Sequence, residues 1–249
     1  MRVAIISDVH GNLPALEAVL ADIDRRSCDA VFCLGDVCFK GPHAPECVDT
    51  LRRRGIPTVR GNTDRYLAGA TPEEVPEQAQ ALLNPWREAL GEERLTWLRE
   101  LPGQIEETVE GVRLLLVHGS PRSDEEPILP WSPPAERATA AAPASLDDIL
   151  AGVTASVVCF GHHHLQLAWR HGQRLLLGPG SVGMPYDGDP RAAYALLEVD
   201  PEGRRVEVSL VRMRYDVEAT IAAHQRMGLD KLDPGYASVL RTGRQRPVS

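Results

Sequence analysis

The sequence predicts an α/β fold, and three observations predict it. Short, continuous apolar runs recur through the first two thirds of the chain. Helix-like stretches separate the first three of them. Each run ends beside a glycine and a residue able to bind a metal. Continuous apolar runs of this length suit strands buried on both faces. Strand, helix, strand repetition implies a parallel sheet with helices packed on it.

The elements follow in order. "VAII" runs into Ser7-Asp8-Val9-His10, and "LPALEAVLADIDRR" reads as the first helix. "AVFCL" runs into Gly35-Asp36, and "PECVDTLRRRG" reads as the second helix. "IPTV" runs into Arg60-Gly61-Asn62. Residues 65–105 read as a helical insertion carrying Trp86 and Trp97. "VRLLLV" runs into His118-Gly119. Residues 120–144, rich in proline and alanine, read as a long loop or lid. "SVVCF" runs into Gly161-His162-His163-His164.

The second half changes character. "LQLAWR", "QRLLLGPGS", "AAYALLEVD" and "RRVEVSLVRMRY" read as a mostly antiparallel set supplying a second sheet. "DVEATIAAHQRMG" reads as an amphipathic helix with an aspartate cap and a glycine stop. With no repeat and no linker composition, residues 1–249 are expected to form a single domain.

Composition narrows the function classes. The chain has 249 residues, 43% of them hydrophobic, and a net charge of -8. An acidic balance argues against a surface for long nucleic acids, because phosphate backbones are met by basic patches. Lys40 and Lys231 are the only lysines. The five cysteines (28, 33, 38, 47 and 159) form no CxxC pair, and an odd number fits a reducing compartment. No stretch approaches the apolar length of a membrane span, so a cytoplasmic protein is expected. The sequence leaves a homo-oligomer open.

In open α/β sheets, sites form outside the carboxyl ends of strands. If the apolar runs are neighbours, Asp8, His10, Asp36, Asn62, His118, His162 and His164 converge on one rim. Each short motif alone is more often a turn or a polar loop than a site. Five in order, each at a strand end, are far more specific.

The ordered set Asp8-Val9-His10, Gly35-Asp36, Gly61-Asn62-Thr63-Asp64, His118-Gly119 and Gly161-His162-His163-His164 resembles the calcineurin-like metallophosphoesterases. "GPHAPECVDTL", "GPGSVGMP" and "DGDPRAAYALLE" are similar to the small bacterial phosphodiesterase-like branch. The resemblance implies a two-layer sandwich of mixed sheets flanked by helices, with two metals at one edge. It implies that Asp8, His10 and His164 bind one ion, that Asn62, His118 and His162 bind the other, and that Asp36 bridges them. Carboxylate, imidazole and amide oxygen suit borderline divalent ions such as Mn, Fe, Zn or Ni. Two such ions about 3.5–4 Å apart can share a water and lower its pKa, so a bridging hydroxide is expected to attack phosphorus in line.

Asp36, Asn62 and Asp64 are the candidate catalytic residues. His43 and Arg122 are weaker candidates for contact with a substrate phosphate, and His163, between two ligand positions, reads as a surface-loop residue pointing elsewhere. Many relatives carry histidine after Gly-Asn, where it is thought to protonate the leaving oxygen. Here the position is Thr63, which has no useful proton near neutral pH. The expected function is therefore hydrolysis of a small phosphate ester, a phosphodiester or an activated ester. The alternatives are a phosphomonoesterase of protein-phosphatase type, a non-catalytic metal or nucleotide sensor, and a scaffold using the 120–144 loop. What Asp64 orients (Thr63, Arg60 or a water) stays open in the sequence.

Overall fold

The computed structural model describes residues 1–80, 83–130 and 145–244. The first half runs β1 (Arg2–Ile6), α1 (Leu13–Arg25), β2 (Ala30–Cys33), α2 (Ala44–Arg53) and α3 (Asn62–Ala68). Then come α4 (Glu77–Gln80), α5 (Leu83–Glu100), β3 (Gln104–Val109) and β4 (Val112–Val117). The second half holds α6 (Leu146–Ile149), β5 (Val157–Cys159), β6 (Gln166–His171) and β7 (Arg174–Pro179). It ends with β8 (Ala192–Val199), β9 (Val206–Met213), α7 (Val217–Arg226) and α8 (Tyr236–Thr242).

The strands form two mixed sheets, β2-β1-β8-β9 and β3-β4-β5-β7-β6. Alternation along the strands makes the layers. Val3 and Ile5 of β1 face the other sheet, where they meet a core containing Leu114, Leu116, Val157 and Leu177. Ala4 and Ile6 face outward into the core that holds Leu16, Val19 and Leu20 of α1. On the far side, Leu115 and Val117 of β4 pack with Leu146 and Ile149 of α6. Both faces of the central strands are buried, which is why β1 after Arg2 reads as an unbroken apolar run and β4 is interrupted only by Arg113. The result is a two-layer sandwich flanked by helices.

Several sequence expectations need correction. The late strands do not make a second sheet of their own. β8 pairs antiparallel with β1, whereas β7 pairs parallel with β5. Local alternation marks a strand but does not choose its neighbour. The third apolar run is not a strand, for it contributes only one bridge, Cys33 to Thr58. The helical region begins at Asn62 and ends at Glu100, and the chain is already in β3 at Gln104. Within α5, Gly91 leaves the helical region at φ 67, ψ 165. Glu110 and Gly111, both with positive φ, turn β3 into β4 as a two-residue hairpin. Residues 120–130 contain neither helix nor strand, and the rest of the expected loop, 131–144, lies outside the described residues.

α7 matches expectation: the Asp216 side chain accepts from the Ala219 N–H, and Gly228 lies in the left-handed region just beyond the helix. Trp86 is a packing residue, sitting against Phe39 with its indole N–H donated to the Gly41 carbonyl at 2.9 Å. Among the described residues no helix is long and apolar enough to cross a membrane.

Candidate metal centre

All seven predicted ligands lie just past strand ends or the end of the 56–59 run, at one edge of the sandwich. Asp8 and His10 follow β1, Asp36 follows β2, and Asn62 opens α3. His118 follows β4, and His162 and His164 follow β5. Five of them occupy the left-handed region: Asp8 at φ 54, His10 at 47, Asp36 at 52, His162 at 69 and His164 at 60. For residues with a Cβ this conformation costs about 1–3 kcal/mol each, and it gathers where function imposes it.

Backbone bonds between the loops hold the strain. The Asp8 N–H donates to the Gly35 carbonyl at 3.0 Å and the His10 N–H to the Asp36 carbonyl at 2.9 Å. The Gly161 N–H donates to the His118 carbonyl at 2.7 Å. Close approach needs glycine at position 61, where a Cβ would stand 2.1 Å from Asp36 Oδ1.

The side chains form two abutting groups. On one side His10 Nε2 lies 3.1 Å from His164 Nε2, and His164 Nε2 lies 3.3 Å from Asp8 Oδ1. Asp8, His10, Asp36 and His164 can each offer one ligand atom, and these atoms all lie within 4.8 Å of one another. On the other side Asn62 Oδ1 is 3.0 Å from His118 Nε2 and 3.1 Å from His162 Nδ1. Asp36 stands between, with Oδ2 3.5 Å from His10 Nε2 and Oδ1 3.4 Å from His118 Nε2. His162 is the partly open member; the other six are buried.

The donor chemistry fits a cation. His118 Nδ1 lies 2.7 Å from the Leu34 carbonyl and His164 Nδ1 lies 2.5 Å from that of Met184. A carbonyl only accepts, so each Nδ1 carries a proton, and a cation can be met only by the Nε2 lone pair, which points inward. Lone pairs therefore face carboxylate and amide oxygens in a buried space. A proton on one ring relieves one such contact, but divalent ions relieve them all.

Electrostatics point the same way. Burial opposes the charge on Asp8, but His164, His118 and His10 outweigh it and hold the carboxyl far below its usual range. Burial likewise opposes protonation of His164, yet Asp8 raises its pKa. Burial and the Asp8 charge push Asp36 up to about 7, partly offset by His162 and by the Thr63 N–H, which donates to Oδ1 at 2.9 Å. Burial, followed by His164, presses His10 well below the usual histidine value, and burial with His118 lowers His162. Two rings are thus kept neutral and ready to ligate.

Asp64, a candidate catalytic residue in the sequence, is engaged by backbone amides. One oxygen accepts from the Val37 and Cys38 N–H groups at 3.0 and 3.3 Å, and the other accepts from Gly61 at 3.1 Å. These bonds tie the loop after β2 to the start of α3. His163 does point elsewhere, but it is mostly buried against Phe160, and burial lowers its pKa to about 4. Arg122 is spent on Glu126 and Ser120's loop rather than on the centre. Sequence reasoning missed the Leu34 and Met184 carbonyls and the Tyr186 ring, stacked on His164 at 4.3 Å. The quoted "GPGSVGMP" stretch was the available signal. In it Ser181 donates to the Asp8 carbonyl at 2.7 Å, and Met184 orients His164.

The calcineurin-like phosphoesterase superfamily domain matches residues 1–202. A metallophosphoesterase structure from Sphaerobacter thermophilus is similar at 30% identity and TM-score 0.77, covering 98% of this chain and 100% of that one. An uncharacterised protein of Methanocaldococcus jannaschii is 28% identical over 258 aligned residues, 97% of this chain and 98% of that protein. The phosphodiesterase YfcE of Escherichia coli is 28% identical over 217 residues, 80% of this chain and 89% of YfcE. The chain therefore belongs to the calcineurin-like phosphoesterase superfamily, and it is a metal-dependent phosphoric ester hydrolase.

Proposed function

We propose that the chain is a dinuclear phosphoesterase that cleaves small phosphodiesters and activated phosphate esters in preference to alkyl monoesters. The carrying observation is Asp36, which turns one oxygen toward His10 and the other toward His118, so that a single carboxylate joins both donor groups. Asp8, His10 and His164 would hold one ion, Asn62, His118 and His162 the other, with Asp36 shared. The oxygen and nitrogen donors suit Mn, Fe, Zn or Ni. Bound there, divalent ions supply Lewis acidity and activate water near neutral pH.

The chain's own residues set the rest. The Thr63 N–H fixes Asp36, and Asp64 fixes the Thr63 turn through Gly61. Thr63 offers no acid to the departing oxygen. General acid catalysis typically contributes about 100- to 10,000-fold. Its loss weighs most on alkoxide leaving groups and least on aryl esters and anhydrides. The phosphodiesterase named among the relatives supports the diester reading. α7 and α8 pack on Met184 and Tyr186 beside the centre, which supports reading residues 1–249 as one domain.

The test uses Mn(II)-loaded protein with bis-p-nitrophenyl phosphate and an alkyl monoester, glycerol 2-phosphate. The diester should show the higher kcat/KM, and EDTA should abolish both activities. Turnover of the monoester alone would overturn the diester preference.

A further inference from the structure

A cation outside the donor set stands beside the centre. Lys40 lies in the turn after Asp36, with Phe39 and Lys40 at φ 75 and 71. That turn is pressed against the His10 loop. The Gly41 N–H donates to the His10 carbonyl at 3.0 Å, and a Cβ on Gly41 would lie 2.1 Å from that oxygen. The Lys40 ammonium lies 3.5 Å from Asp233, with the two side chains 29% and 17% exposed. The pair is thus within reach of solvent and of a solute.

Two neighbours fix which side of the centre it occupies. Lys40 adjoins Gly41, whose N–H is bonded to the His10 carbonyl. The Asp233 carbonyl accepts from the Tyr236 N–H at 3.3 Å, and Tyr236 is buried in one cluster with Met184 and Tyr186, whose ring stacks on His164. The pair therefore flanks the His10–His164 side. Asp233 also lies beyond the residues matched by the family domain. It follows the short 3-10 helix Leu229–Lys231 and precedes α8, whose Tyr236 is buried with Met184 and Ile221.

We infer that the Lys40–Asp233 ion pair determines substrate charge preference: Asp233 neutralises a cation at the edge of the site, so that a singly charged diester is favoured over a doubly charged monoester. The inference rests on the diester reading above. A phosphodiester carries one negative charge at every physiological pH. A monoester loses its second proton with a pKa of about 6 and is mostly a dianion above neutrality. A lysine free of Asp233 would add attraction for that second charge; a lysine paired with it adds little.

The test is a double-mutant cycle on Mn(II)-loaded protein, read as the monoester-to-diester ratio of kcat/KM. Asp233→Asn should raise the ratio about tenfold, the order that one uncompensated charge supplies in a partly exposed site. Lys40→Met, which leaves Asp233 unpaired, should lower it. The double variant should return within about twofold of the wild type, since neither charge remains. A merely structural role predicts that both single variants shift in the same direction. That result, or an unmoved ratio in both, overturns the inference while leaving the diester reading intact. Calorimetry with inorganic phosphate gives a second readout that needs no turnover. Asp233→Asn should tighten phosphate binding, and unchanged binding overturns the pair's role even where wild-type hydrolysis fails and sinks the diester reading by itself.

Discussion

Burial and the Asp8 charge hold the Asp36 carboxyl at about 7, and the same causes that raise it give the centre a pH dependence. Below that value Asp36 is protonated, so a cation must displace a proton in order to bind. Mn(II) affinity should therefore rise by at least about tenfold per pH unit below about pH 7 and level off once Asp36 and His164 have both lost their protons. His10 and His162 do not add to this slope, because burial has already lowered them. His164, raised by Asp8, steepens the acid side. Calorimetric titration at pH 6, 7 and 8.5 checks the prediction, and flat affinity across that range would sink it. Asp36→Asn supplies the control. It keeps an oxygen for the Thr63 N–H but removes the charge and the proton. The slope should lose this component, and turnover should fall by more than about 100-fold, beyond the usual effect of altering an outer-shell partner. Thr63 and Asp64 mark the two limits of reading single residues. The missing acid was legible as a residue type, but Asp64 binds three backbone amides, and amides carry no signature in the sequence.

The connections between elements put the donors in place, and Gly61 shows how narrow the tolerance is. An alanine there would put its Cβ 2.1 Å from Asp36 Oδ1 and 2.4 Å from the Asp36 N. Neither atom can yield cheaply, since the Asp36 C=O also accepts from His10 and Oδ1 also accepts from Thr63. Gly61→Ala should destabilise the fold by about 1–3 kcal/mol, the usual effect of overpacking. It should also weaken metal binding, because Asp36 is the group displaced. Thermal melting with and without Mn(II) separates the two effects, and a variant that melts and binds like the wild type would refute this account of the contact. The same scale explains what could be read in advance. β1, β2, β4 and β5 were legible because they are largely buried and, apart from Arg2 and Arg113, apolar throughout. β3 was not, because "QIEETV" is an edge strand with four of its six residues exposed. The run at 56–59 looked like a strand but carries Pro57, which has no N–H to donate to a ladder. Its carbonyl still accepts from Cys33 at 3.0 Å, which is enough to aim Asn62 at the site.

Across the whole molecule, the donors come from both layers of the sandwich. Asp8, His10 and Asp36 follow strands of one sheet; His118, His162 and His164 follow strands of the other. The ring of His118 already crosses between layers to reach the Leu34 carbonyl at 2.7 Å. Ions held by both sets would therefore join the sheets at an edge where buried polar groups otherwise oppose one another. Metal binding should then appear as global stability rather than as local ordering. At a hundredfold excess over the dissociation constant, one site contributes about 2.7 kcal/mol. For a chain of this length that is a rise in Tm of about 5–10 °C. A second site, filled at higher Mn(II), should produce a further rise. Scanning calorimetry of the EDTA-treated protein against graded Mn(II) reads both steps. In Asp36→Asn the steps should shrink together if, as proposed, the one carboxylate serves both groups. A single step, equally large in wild type and Asp36→Asn, would mean that one ion binds without Asp36, and the dinuclear reading would have to be abandoned. Two steps of which only one responds to the substitution would place Asp36 in a single group and remove its bridging role.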